Sequence, residues 1–122
     1  MNSTIHANRH IANLWLAAFN EHNLQNLLSL YHNEAVHFSP KLKIKLPESN
    51  GLIKGKVALS AWWNEAFNHL PSLQYVIEKL TVDEDQVFME YIRKVNDEND
   101  IKVGEVLEIE NGLIVASRVY HG

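Results

Sequence analysis

"KVGEVLEIENG", residues 102–112, repeats with a period of two and ends in a turn signal. Successive strand side chains point to opposite faces, so Ile101, Val103, Glu105, Leu107 and Ile109 share one side. Four of these five are aliphatic, and a carboxylate sits in their midst. An ionised carboxylate facing an apolar layer loses its hydration, so it must be paired, hydrogen-bonded or protonated. Asn111-Gly112 supplies the positive φ that both central residues of a type I′ hairpin turn require. The stretch therefore reads as a half-buried strand turning into another, "LIVASRVYHG" (113–122).

The same period extends toward the N-terminus. "LQYVIEKLTV" (73–82) is a strand, "DEDQ" (83–86) a turn, "VFMEYIRKV" (87–95) a strand and "NDEND" (96–100) a turn. Before Ser72 the spacing is helical. Ile11, Trp15, Ala18 and Phe19 form one amphipathic stripe, with Ser3 or Thr4 as its cap. Asn23 caps a short second helix carrying Leu24, Leu27, Leu28 and Tyr31. "EAVHFSP" (34–40) is a short strand stopped by Pro40, and residues 40–56 read as a long loop of the kind that forms lids and rims. A third helix starts near Val57; Leu59, Trp62, Trp63, Ala66, Phe67 and Leu70 give it a broad apolar face, and Pro71 ends it. Three helices, a short strand among them and four consecutive antiparallel strands make an α+β fold with the helices gathered on one side of a curled sheet.

The 122 residues fit one compact domain, 1–122, with no linker or internal repeat. Zero cysteines exclude disulfides, Cys-ligated zinc and thiol nucleophiles. A net charge of −4 and scattered lysines give no basic stripe, so no nucleic-acid partner is expected. No apolar run approaches the roughly 20 residues of a membrane span, and "MNSTIHANRH" (1–10) lacks the layout of a signal peptide. No membrane association and a cytoplasmic location are expected. His6 and His10 stand four apart but have no accompanying acidic ligand, and no phosphate loop is present, so no metal and no cofactor are expected.

"LWLAAFNEHNLQNLLSLYHNEAVHFSP" (14–40), "GLIKGKVALSAWW" (51–63) and "VGEVLEIENGLI" (103–114), in that order, resemble the nuclear transport factor 2-like superfamily, in particular its SnoaL-like domains. The resemblance covers about residues 9–121. It implies a cone-shaped fold, three N-terminal helices packed in the concave face of a curled mixed or antiparallel sheet, a pocket between them, and a homodimer through the convex sheet face. This scaffold hosts isomerases, cyclases, dehydratases, hydrolases and non-catalytic binding domains. Set against its ketosteroid isomerases, the resemblance puts Ser39 where the base Asp stands and Trp15 where a hydrogen-bonding Tyr stands. It puts Glu105 near the acid that helps bind the oxyanion. Serine is no unaided base and indole only donates, so the isomerase set is incomplete. The acid of the related epoxide hydrolases corresponds to Val119 and is missing as well.

Glu105 is the leading candidate for chemistry. Pairing through the 96–100 turn brings Tyr91 and Arg93 near it if Val87, Met89, Tyr91, Arg93 and Val95 form the inner row. Three placements satisfy the pattern: a structural ion pair or network, with Arg93 as the neutralising partner, an acid in a pocket, or exposure through a bulge. His37 shares parity with Ser39 and is a candidate base, with Tyr91 as a further catalytic group. Ser117 and His121 share parity on the last strand and, with Arg93 and Ser39, are candidate ligand contacts. Trp15, Phe19, Trp62 and Trp63 are either core or the lining of an apolar cavity, and periodicity does not tell which of the two adjacent tryptophans points inward. Three functions stay open: acid–base catalysis on a small apolar or cyclic molecule, non-catalytic binding of such a molecule, or an interaction module using the convex face with Arg118 and Tyr120.

Overall fold

The computed structural model describes residues 3–121. Four helices, α1 (Ser3–Asn20), α2 (Leu24–Ser29), α3 (Pro40–Lys45) and α4 (Lys56–His69), accompany six strands. The strands are β1 (Tyr31–Phe38), β2 (Leu52–Lys54), β3 (Gln74–Val82), β4 (Gln86–Lys94), β5 (Ile101–Glu110) and β6 (Leu113–His121). They form one sheet in the order β2-β1-β6-β5-β4-β3. Every pairing is antiparallel except β1 with β6, which run parallel. No described helix is long and apolar enough to cross a membrane.

The period-two strands form as the sequence dictates. Val103, Glu105, Leu107 and Ile109 are buried in β5, facing Val87, Met89, Tyr91 and Arg93 of β4. Asn111 and Gly112 take φ of 52° and 80°, and Glu110 pairs with Leu113 across a two-residue turn. Helix α1 packs its Trp15 and Phe19 face on β3 and β4, α4 lies against β1 and β2, and α2 bridges the two helices. Asn20, the last residue of α1, locks it to β3: its side-chain amide donates to the Tyr75 carbonyl at 2.9 Å, and its oxygen accepts from the Tyr75 N–H at 2.7 Å.

Residues 40–56 correct the loop expectation, and with it the count of three helices. Ser39 Oγ accepts from the Lys41 N–H at 3.2 Å, and Pro40 occupies the first helical position. Proline lacks a donor that the first turn does not use, so the residue that stops β1 also starts α3. A 3₁₀ turn (Pro47–Ser49) and edge strand β2 complete the segment. Asn23 does cap α2, accepting from the Asn26 N–H at 3.0 Å. Tyr31, expected on that helix, is instead the first residue of β1. Thr4 lies inside α1, and because the helix is already formed at Ser3 its cap position falls outside the described residues.

Candidate functional site

Between the sheet and α1, α3 and α4 lies a cavity of about 410 Å³, within the range of small-molecule sites. Its deep end is made by Glu105 and Val103 of β5, Tyr91 of β4, His37 of β1 and Val119 of β6. Trp15, Phe19, Tyr75, Trp62 and Trp63 form its aromatic sides. Exposure rises toward Lys41, Ile44, Lys45, Glu65, His69, Glu98 and His121, which therefore ring the mouth.

Glu105 is 1% exposed. It pairs with Met89 across the β4–β5 ladder, which places Tyr91 diagonally opposite, and the Tyr91 hydroxyl donates to Glu105 Oε1 at 2.7 Å. Oε2 is buried without a partner among the described residues. Burial drives the Glu105 pKa up to about 8, against a smaller opposing pull from the Tyr91 hydrogen bond. The carboxyl is therefore neutral at pH 7, and since Oε1 accepts from Tyr91, its proton belongs on Oε2. Burial and the nearby Glu105 carboxyl push the Tyr91 hydroxyl well above its usual range, so it stays a donor.

His37 is joined to a second network by strand register. The parallel β1–β6 ladder sets His37 beside Ser117, and His37 Nδ1 lies 2.6 Å from Ser117 Oγ. The Tyr31 hydroxyl donates to Ser117 Oγ at 3.1 Å, and the Trp15 indole N–H donates to the Tyr31 oxygen at 3.0 Å. Indole can only donate. Tyr31 gives its one proton to Ser117, and the Ser117 hydrogen has His37 Nδ1 as its acceptor among the described residues. Satisfying the buried Ser117 hydrogen in this way favours the neutral tautomer with hydrogen on Nε2. Burial lowers the His37 pKa to about 4, so this residue lines the cavity as a neutral donor. In that tautomer Nε2 presents a hydrogen and Nδ1 is taken up by Ser117.

The remaining candidates divide. Arg93 does not neutralise Glu105; its Nη1 donates to Glu98 Oε1 at 3.0 Å. A long side chain on the inner row reaches past the strand to the turn, so Glu105 is neither paired with Arg93 nor exposed: it is buried, lines the cavity and is hydrogen-bonded to Tyr91. Ser39 lines the cavity, but its oxygen is committed to capping α3. Ser117 is fully buried, is not among the residues lining the cavity, and sits behind His37 and Tyr31. His121 is at the mouth. Both Trp62 and Trp63 line the cavity, with Trp63 the buried one, 5.3 Å from the His37 ring. Sequence reasoning missed Tyr75, whose ring stacks at 4.0 Å on both Phe19 and Tyr91, and Tyr31. It also missed Lys41 and Glu98, both read as parts of loops. Inner-row parity on the 73–82 strand was the available signal for Tyr75.

The family model described as a SnoaL-like domain matches residues 12–117. The chain belongs to the SnoaL-like domain family. Among solved structures, this SnoaL-like domain is similar to a SnoaL-like protein of unknown function from Burkholderia thailandensis, at 22% identity and TM-score 0.86, over 96% of this chain and 95% of that one. A protein from Kribbella flavida provisionally designated a ketosteroid isomerase aligns at 15% identity and TM-score 0.80, over 100% and 82% of the two chains. One from Sinorhizobium meliloti, provisionally designated a polyketide cyclase, aligns at 18% and 0.77, over 91% and 94%. At these identities the likeness establishes the fold. No curated protein matches this chain in sequence.

Proposed function

We propose that the SnoaL-like domain binds a planar, apolar cyclic molecule and holds an acceptor oxygen of it, such as a carbonyl, on the neutral Glu105 carboxyl. The observation that carries this reading is Glu105 Oε2, a buried polar atom without a protein partner in a residue that lines the cavity. An unmatched buried donor is costly, and a ligand oxygen is the group that would relieve it. His37 Nε2–H is a second neutral donor, and the stacked aromatics offer flat apolar surface. Provisional designation of two structural neighbours as an isomerase and a cyclase is compatible with such a ligand.

The pair acetylnaphthalene and ethylnaphthalene, alike in size and differing in the carbonyl, tests this through quenching of tryptophan fluorescence. The ketone binds roughly five- to tenfold tighter, the worth of about one hydrogen bond, and Glu105→Leu erases the difference. Equal affinities in the wild type reject the reading. Catalysis adds proton transfer from Glu105 to the held oxygen. Glu105→Gln keeps a donor but no transferable proton, so binding survives in it and acid-dependent turnover does not.

A further inference from the structure

The mouth of the cavity carries charge that the Glu105 reading leaves unused. Arg93 is 5% exposed, yet its one hydrogen bond among the described residues is that from Nη1 to Glu98. A guanidinium has five N–H donors, and the remaining four find no acceptor among the described residues. Lys41, in the first turn of α3, lines the same cavity half-buried. Burial lowers its pKa first, then repulsion from Arg93, with Lys45 adding and Glu98 opposing. The pKa of His121 on β6 is lowered by burial and then by Lys41 and Arg93. Groups from α3, β4 and β6 thus stand close enough to feel one another. Of the rim cations Lys41, Lys45 and Arg93, Glu98 pairs with Arg93 at 3.0 Å, and neither lysine has an acid partner among the described residues. The remaining acid of the rim, Glu65 on α4, is exposed and faces His69 at 3.7 Å.

We propose that the ligand is an apolar cyclic carboxylic acid whose carboxylate docks at the mouth on Arg93 and Lys41. This names the ligand class and rests on reading the cavity as a small-molecule site. A carboxylate matches the planar donor edge of Arg93 and supplies the missing negative charge. With the anion held there, the ring system lies along Trp15, Phe19 and Trp62, and its far end reaches toward Glu105.

Naphthoic acid and its neutral isostere naphthamide test the anionic end alone, by tryptophan quenching at pH 7. Naphthoate binds at least tenfold tighter at low salt, and the preference shrinks as salt rises. Lys41→Gln removes most of it, while Lys54→Gln, an exposed lysine away from the cavity, leaves it intact. Binding of naphthoate raises the His121 pKa in proton NMR, and naphthamide does not. Arg93→Gln acts like Lys41→Gln if it folds; if it does not, Lys41→Gln decides. Naphthoate binding no tighter than naphthamide, or a preference unmoved by Lys41→Gln, overturns the proposal. Failure of the ketone comparison with the carboxylate preference intact removes the acceptor-oxygen reading alone. The converse result removes the carboxylate alone.

Discussion

Ser117 has one proton and two buried neighbours. Its oxygen accepts from Tyr31 and its hydrogen goes to His37 Nδ1, so a single hydroxyl determines which ring nitrogen of His37 carries hydrogen in the cavity. Ser117→Ala strands a Tyr31 hydroxyl without an acceptor and an Nδ1 without a donor. Leaving buried polar groups unmatched costs about 1–3 kcal/mol, measurable by urea denaturation. The more telling readout is nitrogen NMR of the His37 ring. Native protein shows hydrogen on Nε2, and Ser117→Ala lets the Nδ1–H tautomer appear. An unchanged tautomer in that variant would mean that the relay from Trp15 does not set it. Glu105 differs, because its state follows from burial beside Met89 and Leu107, with Tyr91 opposing.

At the scale of elements, α3 shows how one side chain converts a strand end into a wall of the cavity. The helix is six residues long, too short to persist by its own hydrogen bonds, and Ser39 holds its first turn. Ser39→Ala removes that cap at a cost of about 1 kcal/mol, and Ser39→Asn restores most of it. Hydrogen exchange checks this locally: amides of Leu42 and Lys43 lose protection in the alanine variant first, and uniform loss across the sheet rejects the assignment. The sequence could not announce α3, since Pro40 is equally a strand stop and a helix start. The inner rows of β4 and β5 were legible because alternation and pairing through the 96–100 turn are local, and they brought Tyr91 to Glu105. The partner of Arg93 was not: parity orients a side chain but does not limit its reach, and Glu98 sat in a turn that looked merely solvated. The His37–Ser117 contact depends on parallel pairing between residues 80 apart in sequence, for which no short stretch carries a signal.

For the whole molecule, Glu105 and His37 pull stability in opposite directions with pH. Folding raises the Glu105 pKa from 4.5 to about 8. Between these values the native state keeps a proton that the unfolded chain gives up, so stability falls as pH rises. Folding lowers the His37 pKa from 6.5 to about 4. Between those values the unfolded chain takes a proton that the native ring refuses, so stability rises with pH. From about pH 4.5 to 6.5 the two slopes offset each other. Above pH 6.5 His37 is neutral in both states and Glu105 acts alone, lowering stability by about 2 kcal/mol on reaching pH 8. Glu105→Gln, which cannot ionise, abolishes that alkaline loss and exposes the acid-side loss from His37 below pH 6.5. Urea denaturation of both proteins across pH 4–8 isolates the effect, because every other titrating group contributes equally to the two curves. Curves that stay parallel throughout would mean that Glu105 ionises in the native state as it does in the unfolded chain. The neutral donor at the bottom of the cavity, on which the proposed recognition of an acceptor oxygen depends, would then not exist.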